Sequence, residues 1–365
     1  MSDAGTATTS ETFPITGLIA VYVDDLIVCG TTETTDEFYN EFEKSCTISA
    51  PECLEVDGPV VTFLGFQYSR HKDYVKIDPR EYVKKILIAF DCMECNPRTT
   101  PGKNLEFEID KEERARYLLD KHEHKTYRRM VGQTLWVSSI RRDIAFSVKE
   151  LSKHAHDPTK QDMSNAIHLL KYLKGTIDEC VYIQPIVKNG KFEMTAFTDA
   201  DLGGCRTSRK STSGGCLALN GAIFHTWAKQ QNTIADSSAE SEFNGLAQAC
   251  KEVKYVLEVL DEMDIILHKP PQIYIDNTSA ISMLEKNVKS RVKHLDRKVY
   301  WIREFVANGN VTVKHVDGKL NLADLFTKFV TNEVLERLRP AVMGRSLPPT
   351  EVIKVTKNLK TIKET

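Results

Sequence analysis

The sequence predicts a mixed α/β protein built in two parts, and three observations predict it. Short apolar runs near the start alternate as β-hairpins do. Apolar residues at helical spacing fill 126–174. Residues 190–330 alternate strands with helices. A chain of 365 residues has room for two or three domains.

Residues 1–12 are small and polar and read as a disordered start. In GLIAVYVDDLIV (17–28) two apolar runs flank Asp24 and Asp25, so a hairpin with acids at its tip is expected. VVTFLGFQYS (60–69) reads as one further strand. Pro79 opens a helix with Tyr82, Ile86 and Phe90 on one face. NPRTTPGKN (96–104) breaks the pattern. Tyr127, Val131 and Leu135 then start a helical stretch; Ile144, Val148 and Leu151 continue it; Ile167, Leu170 and Leu173 close it before Gly175. Residues 121–142 carry six Lys/Arg against one Glu, which reads most simply as a solvated basic helix side. FEMTAFTD (192–199) is a strand, and Asn220-Gly221 between the apolar runs of 216–228 is a strong hairpin signal. Phe243, Leu246, Cys250, Val253, Leu257 and Leu260 form one stripe of a long helix over 239–263, capped by Ser237 or Ser238. Strands at 272–276 and 311–316, a basic helix near 294–308 and a last helix from near Leu320 complete the pattern. The expected organisation is a start at 1–12, a strand-rich part at 13–77, a helical part at 78–176, a mixed domain at 177–330 and a C-terminal tail at 331–365, of which 341–365 reads as loosely held.

Lys+Arg of 49 against Asp+Glu of 51 excludes a polycation and leaves only local patches for nucleic acid. No apolar run approaches the roughly 18 residues that span a bilayer, so no membrane partner is expected. Residues 1–43 hold nine acids and no Lys or Arg, which excludes the basic region of a signal or transit peptide. Nine scattered cysteines fit reduced thiols in an intracellular protein. Cys92 and Cys95 have no second pair, and the pairs His122/His124 and His154/His156 have no matching cluster, so no zinc site is expected.

Strands joined by helices pair in parallel and carry sites at their carboxyl ends. Asp199 ends the first strand of the mixed domain, and Asp276 ends the strand after the long helix. Glu242 lies in the first turn of that helix, and Asp324 in the first turn of the last one. Taken singly, each reads as a turn former or a helix cap. Four acids on four separated segments, in this order, point to convergence. Converged carboxylates repel, and burying them unpaired is costly unless a hard cation joins them. Mg2+ takes oxygen ligands and keeps waters, which suits phosphate substrates. Two such ions, with Mn2+ as the second candidate, activate a water and stabilise a leaving oxygen. His315 is the candidate proton carrier.

FTDAD (197–201), RKSTSGG (209–215), SSAESEF (237–243), YIDNTSAI (274–281), VKHLDRK (292–298) and HVDGKLNLADLFTK (315–328) resemble the ribonuclease H domain of a copia-type retrotransposon Pol polyprotein. Upstream, YVDDLIV (22–28) resembles the reverse transcriptase hairpin that holds two metal-binding aspartates, and FLGFQ (63–67) the primer grip. YRRMVGQTLWVSSIRRDIAFSV (127–148) and HLLKYLKGT (168–176) resemble the thumb and linker. The resemblance spans residues 17–330. It implies remnant palm hairpins and a helical thumb, followed by a ribonuclease H-like mixed five-stranded sheet with flanking helices. It implies metal-dependent hydrolysis of the RNA strand of an RNA–DNA hybrid. Asp199, Glu242, Asp276 and Asp324 would hold the metals, with His315 as mobile histidine and Asp24 and Asp25 as the palm's metal acids. Glu240 competes with Glu242, which the apolar Phe243 after it favours. Asp201 is a candidate outer acid, and Leu202 stands where the family usually has Trp.

A reverse transcriptase needs a third metal-binding Asp, and none of the 23 residues before Asp24 resembles that segment. No polymerase activity is therefore expected from this chain alone, and missing Pol segments in trans are candidate partners. The first strands should leave an exposed sheet edge. Lys289, Arg291, Lys293, Arg297, Lys298 and Arg303 against Asp296 form a basic face for the phosphate backbone of a hybrid, with Arg209 and Lys210 adding contacts. The competing expectation is a catalytically silent relic that binds nucleic acid or a protein partner. The resemblance implies a cytoplasmic particle or the nucleus as its place.

Overall fold

The computed structural model describes residues 15–103, 114–184, 191–205, 207–285, 293–346 and 348. The alternating start folds as expected. β1 (Gly17–Tyr22) and β2 (Asp25–Gly30) pair antiparallel with Tyr22 opposite Asp25, and Val23 turns the chain at φ +56. A helix α1 (Thr32–Glu43) follows, its Thr31 side chain accepting the Thr34 amide. No residue of this hairpin or helix is buried, so Leu18, Ile19, Val21 and Tyr22 line the exposed edge that the sequence predicts.

The run 60–69 is two strands rather than one. β3 (Val61–Phe63) and β4 (Phe66–Arg70) pair around Leu64 and Gly65, both at positive φ. Such a tight turn favours polar residues and glycine; here the Trp136 indole donates to the Leu64 carbonyl at 3.2 Å and holds it. β5 (Val75–Asp78) and β6 (Val181–Ile183) extend this sheet antiparallel. Between them in sequence come α2 (Arg80–Ala89), α3 (Lys121–Val137), α4 (Ala145–Ser152) and α5 (Lys160–Gly175). Reciprocal side-chain caps start two of these: Asp120 with Glu123, and Thr159 with Asp162. The solvated basic side is smaller than expected, because Arg141 and Arg142 are buried.

The third sheet comprises β7 (Met194–Ala200), β8 (Thr212–Leu219), β9 (Ala222–Gln230), β10 (Gln272–Ile275) and β11 (Thr312–His315) in the order β11-β10-β7-β8-β9. β7, β8 and β9 run antiparallel, and β10 is parallel to both β7 and β11. This is the ribonuclease H-like mixed sheet that the resemblance implies. Asn220 and Gly221, both at positive φ, turn β8 into β9. α6 (Ser238–Glu262), capped by Ser237, packs on one face with α7 (Thr278–Glu285) and α8 (Lys293–Ala307), burying Phe243, Leu246, Ile273 and Ile302. On the other face Phe197, Cys216 and Phe326 join one core with Val148, Leu169 and Tyr172 of the helical part. The last helix expected from near Leu320 is a single 3₁₀ turn, Gly318–Leu320, then a four-residue helix α9 (Asp324–Thr327). The C-terminal tail expected from 331 begins with α10 (Asn332–Val342), whose Leu335, Leu338 and Val342 are buried. Among the described residues, no helix is long and apolar enough to cross a membrane.

Candidate metal centre

Asp199, near the end of β7, stands opposite Gly214 of β8, and Asp276 directly follows β10. Glu242 projects from the amino-terminal part of α6, which packs along β7. One carboxylate oxygen from each of these three lies within 4.8 Å of the others. Glu240, two positions earlier, is turned away. Its carboxylate accepts the Asp236 amide at 2.9 Å, so it is engaged at the helix start. Asp324 opens α9 beside the trio, with its Oδ1 2.6 Å from the Lys328 ammonium. Asp199 Oδ2 accepts from the Thr327 hydroxyl and lies 3.4 Å from Lys328 Nζ. His315 is exposed at the end of β11, its Nε2 3.1 Å from the Asp276 carbonyl. A carbonyl only accepts, so Nε2 carries the proton in this contact.

Glu242 is 6% exposed, and its Oε2 has no hydrogen-bond partner among the described residues. Burial pushes its carboxyl up to about 9, and the neighbouring Asp199 and Asp276 add to the rise. Burial and Asp199 also raise Asp276. Burial lifts Asp324 to about 6 although Lys328 opposes it. Burial alone would lower Lys328, but Asp199 and Asp324 outweigh it and hold the ammonium charged. An all-oxygen donor set with an orphaned buried carboxylate oxygen suits a hard divalent cation, which Asp199, Glu242 and Asp276 could hold.

A glycine lets α9 approach. A Cβ on Gly214 would lie 2.6 Å from the Phe326 carbonyl oxygen and 2.7 Å from its Cβ. Gly214→Ala should therefore push α9 outward, carrying Asp324 and Thr327 away from Asp199. An expected cost of about 1–3 kcal/mol in a urea titration goes with weaker binding of a divalent ion at the displaced acids.

The other expected residues divide. Asp24 and Asp25 are exposed at their hairpin tip and join no three-acid group among the described residues. The paired histidines also form no metal group there. Arg209 is exposed at φ +56 in the loop before β8, with Lys210 half-buried beside it. Arg297 is exposed, and Lys298 donates to Asn244 at 2.9 Å, which brings this basic helix next to the turn bearing Glu242. Arg303 departs from expectation: its Nε and Nη2 both donate to the Met283 carbonyl, tying α8 to α7. Lys289, Arg291 and the Lys293 side chain lie outside the described residues. Asp201 is half-buried two residues after Asp199 and accepts the Thr212 amide. Thr327 and Lys328 were not singled out from sequence. Their signal was their spacing of three and four from Asp324, one helix face.

An uncharacterized mitochondrial protein of Arabidopsis thaliana is 31% identical over 238 residues, which is 65% of this chain and 93% of that protein. The retrovirus-related Pol polyprotein from transposon RE1 of the same plant is 27% identical over 331 residues, 90% of this chain. The corresponding polyprotein from transposon TNT 1-94 of Nicotiana tabacum is 26% identical over 89% of the chain. The homologues over most of the chain are thus Pol polyproteins of copia-type retrotransposons. The chain spans 22% of the length of the RE1 polyprotein and 24% of the TNT 1-94 one. No protein-family model matches it. Among solved structures, a foamy viral protease–reverse transcriptase in complex with double-stranded DNA covers 82% of this chain and 46% of its own chain, at 13% identity and a TM-score of 0.43.

Proposed function

We propose that this chain is a segment of a retrotransposon Pol polyprotein and a metal-dependent ribonuclease H that hydrolyses the RNA strand of RNA–DNA hybrids. The observation that carries the reading is the meeting of Asp199, Glu242 and Asp276 at the carboxyl edge of the mixed sheet, with one buried oxygen left unpaired. Asp199, Glu242 and Asp276 would hold one Mg2+, and Asp199 with Asp324 a second, Mn2+ being the alternative ion. Bound there, the metal supplies an activated water and charge stabilisation for the departing oxygen. Asp199 stands between both sites. Its oxygen is oriented by the Thr327 hydroxyl. His315, exposed beside Asp276, carries the proton for the departing oxygen. Arg297 and Lys298, with Arg209 and Lys210, grip the phosphate backbone. Residues 13–77 and 78–176 serve as remnant palm and thumb, and 177–330 as the ribonuclease domain. Primer extension is not part of this reading, because Asp24 and Asp25 lack a third carboxylate among the described residues.

The test is cleavage of a labelled hybrid in Mg2+ and in EDTA. Only the RNA strand should be cut, only with metal. Asp276→Asn should lower the rate by about 10²–10³-fold with an unchanged circular dichroism spectrum. Normal cutting by that variant would refute the assignment. No cutting at all, with salt-sensitive hybrid binding retained, would favour the silent nucleic-acid-binding relic.

A further inference from the structure

We propose that Lys328 is a built-in counter-cation of the acidic centre, holding Asp324 against Asp199 and competing with the second divalent ion for those two carboxylates. The proposal rests on the ribonuclease reading above. Its basis is an asymmetry among the acids. Glu242 Oε2 is buried with no donor, so the Asp199–Glu242–Asp276 side is open to a cation. The Asp199–Asp324 side is occupied by charge: Asp324 Oδ1 makes no aligned hydrogen bond, but Lys328 Nζ lies 2.6 Å from it and 3.4 Å from Asp199 Oδ2, whereas Glu242 has no ion-pair partner among the described residues. That same Asp199 oxygen accepts from Thr327. Asp324 therefore stands apart from the three-acid group, neutralised by its own helix neighbour four positions on.

The side chain suits a replaceable ion. Lys328 is 46% exposed, whereas Asp199 and Asp324 are 4% and 15% exposed. The ammonium rides on a flexible stem and can move into water, while the carboxylates stay fixed. Without metal it relieves repulsion among four converging acids. When a second ion enters, the ammonium must leave, and that exchange weakens the ion's binding. The first ion, held by the open side, is affected less because it does not displace the lysine.

The experiment titrates the full chain with Mn2+, counting bound ions by the electron paramagnetic resonance of free Mn2+ and following the melting temperature with and without metal. The wild-type chain should bind one ion tightly and a second more weakly. Lys328→Met should bind the second ion about tenfold more tightly, because a competing charge beside it is gone. Its metal-free melting temperature should fall by a few degrees, and its rise on adding Mn2+ should be larger than the wild type's. Lys328→Arg keeps the charge and should stay within about twofold of wild type. If Lys328→Met binds both ions as the wild type does, or more weakly, the lysine proposal fails while the ribonuclease reading stands. If neither chain binds Mn2+ and neither cuts a hybrid, both fail together.

Discussion

Replacing Glu242 by Gln should abolish hybrid cleavage and at the same time stabilise the metal-free protein. The loss of cleavage follows from geometry. Glu242 supplies one of the three converging oxygens, and an amide there weakens metal binding and leaves Asp199 and Asp276 to share the charge. A fall of about 10³-fold is expected. The gain in stability follows from burial. Glu242 is 6% exposed, beside two other carboxylates, and its carboxyl is pushed up to about 9. The folded chain thus holds a proton there that the unfolded chain releases at the ordinary glutamate range. Between that range and about pH 9 the native state binds more protons than the unfolded one, so stability falls as pH rises. Gln has no proton to lose. In EDTA the wild-type melting temperature should therefore drop from pH 6 to pH 8.5, while the Glu242→Gln curve stays flatter. At pH 8.5 the variant should be the more stable by roughly 2 kcal/mol. With Mg2+ present the order narrows or reverses, since the metal restores what the wild-type site lacks. Equal pH dependence in the two chains would mean that Glu242 does not hold the buried proton.

This pairing of lost function with gained stability explains why the centre was readable at all. Four acids placed at strand ends and helix starts conflict with a packed interior unless a cation joins them, and such conflict marks function. The Asn220-Gly221 hairpin was equally readable, because a two-residue turn at positive φ demands those residue types. The turn at Leu64-Gly65 was not. Its first residue is apolar, and what holds it is Trp136, 72 positions away in the chain. Local sequence carries no trace of such a tertiary bond. The short strand Val75–Asp78 is four residues long and pairs with Phe66–Arg70 on one side and the distant Val181–Ile183 on the other, too short a run to show the alternation of a strand. Asp324 was found, but the Thr327 and Lys328 that engage the same centre were not, because their contact to Asp199 spans more than 120 residues.

Arg141 and Arg142 belong to the core rather than to the wet basic side that the run of charges suggests, and the Arg141–Asp143 pair carries the largest expected effect on stability. Arg141 and Asp143 are both fully buried, with Arg141 Nε and Nη2 donating to Asp143 Oδ1 and Oδ2 at 2.9 and 2.8 Å. Tyr172 donates to the same carboxylate at 2.6 Å, and Arg339 of α10 donates to the Tyr172 hydroxyl at 3.1 Å. Burial would raise the Asp143 carboxyl, but Arg141 overcomes it and holds the group below its ordinary value. Asp143→Ala leaves a guanidinium in the core with only Thr176 to accept from it. The expected cost is about 3–5 kcal/mol, enough to unfold a chain of ordinary stability in modest urea. Arg141→Met combined with Asp143→Leu removes both charges and should recover most of that loss in the same titration. The double variant also separates folding from placement. Arg142 donates to the Val342 carbonyl at 3.2 Å, and Arg339 ties α10 to this cluster. Through α10 the helical part helps fix the segment that carries Asp324. A double variant that folds normally yet cuts hybrids more slowly would show that the buried charges position α9 as well as stabilise the core. Recovery of stability and cleavage together would assign them to stability alone.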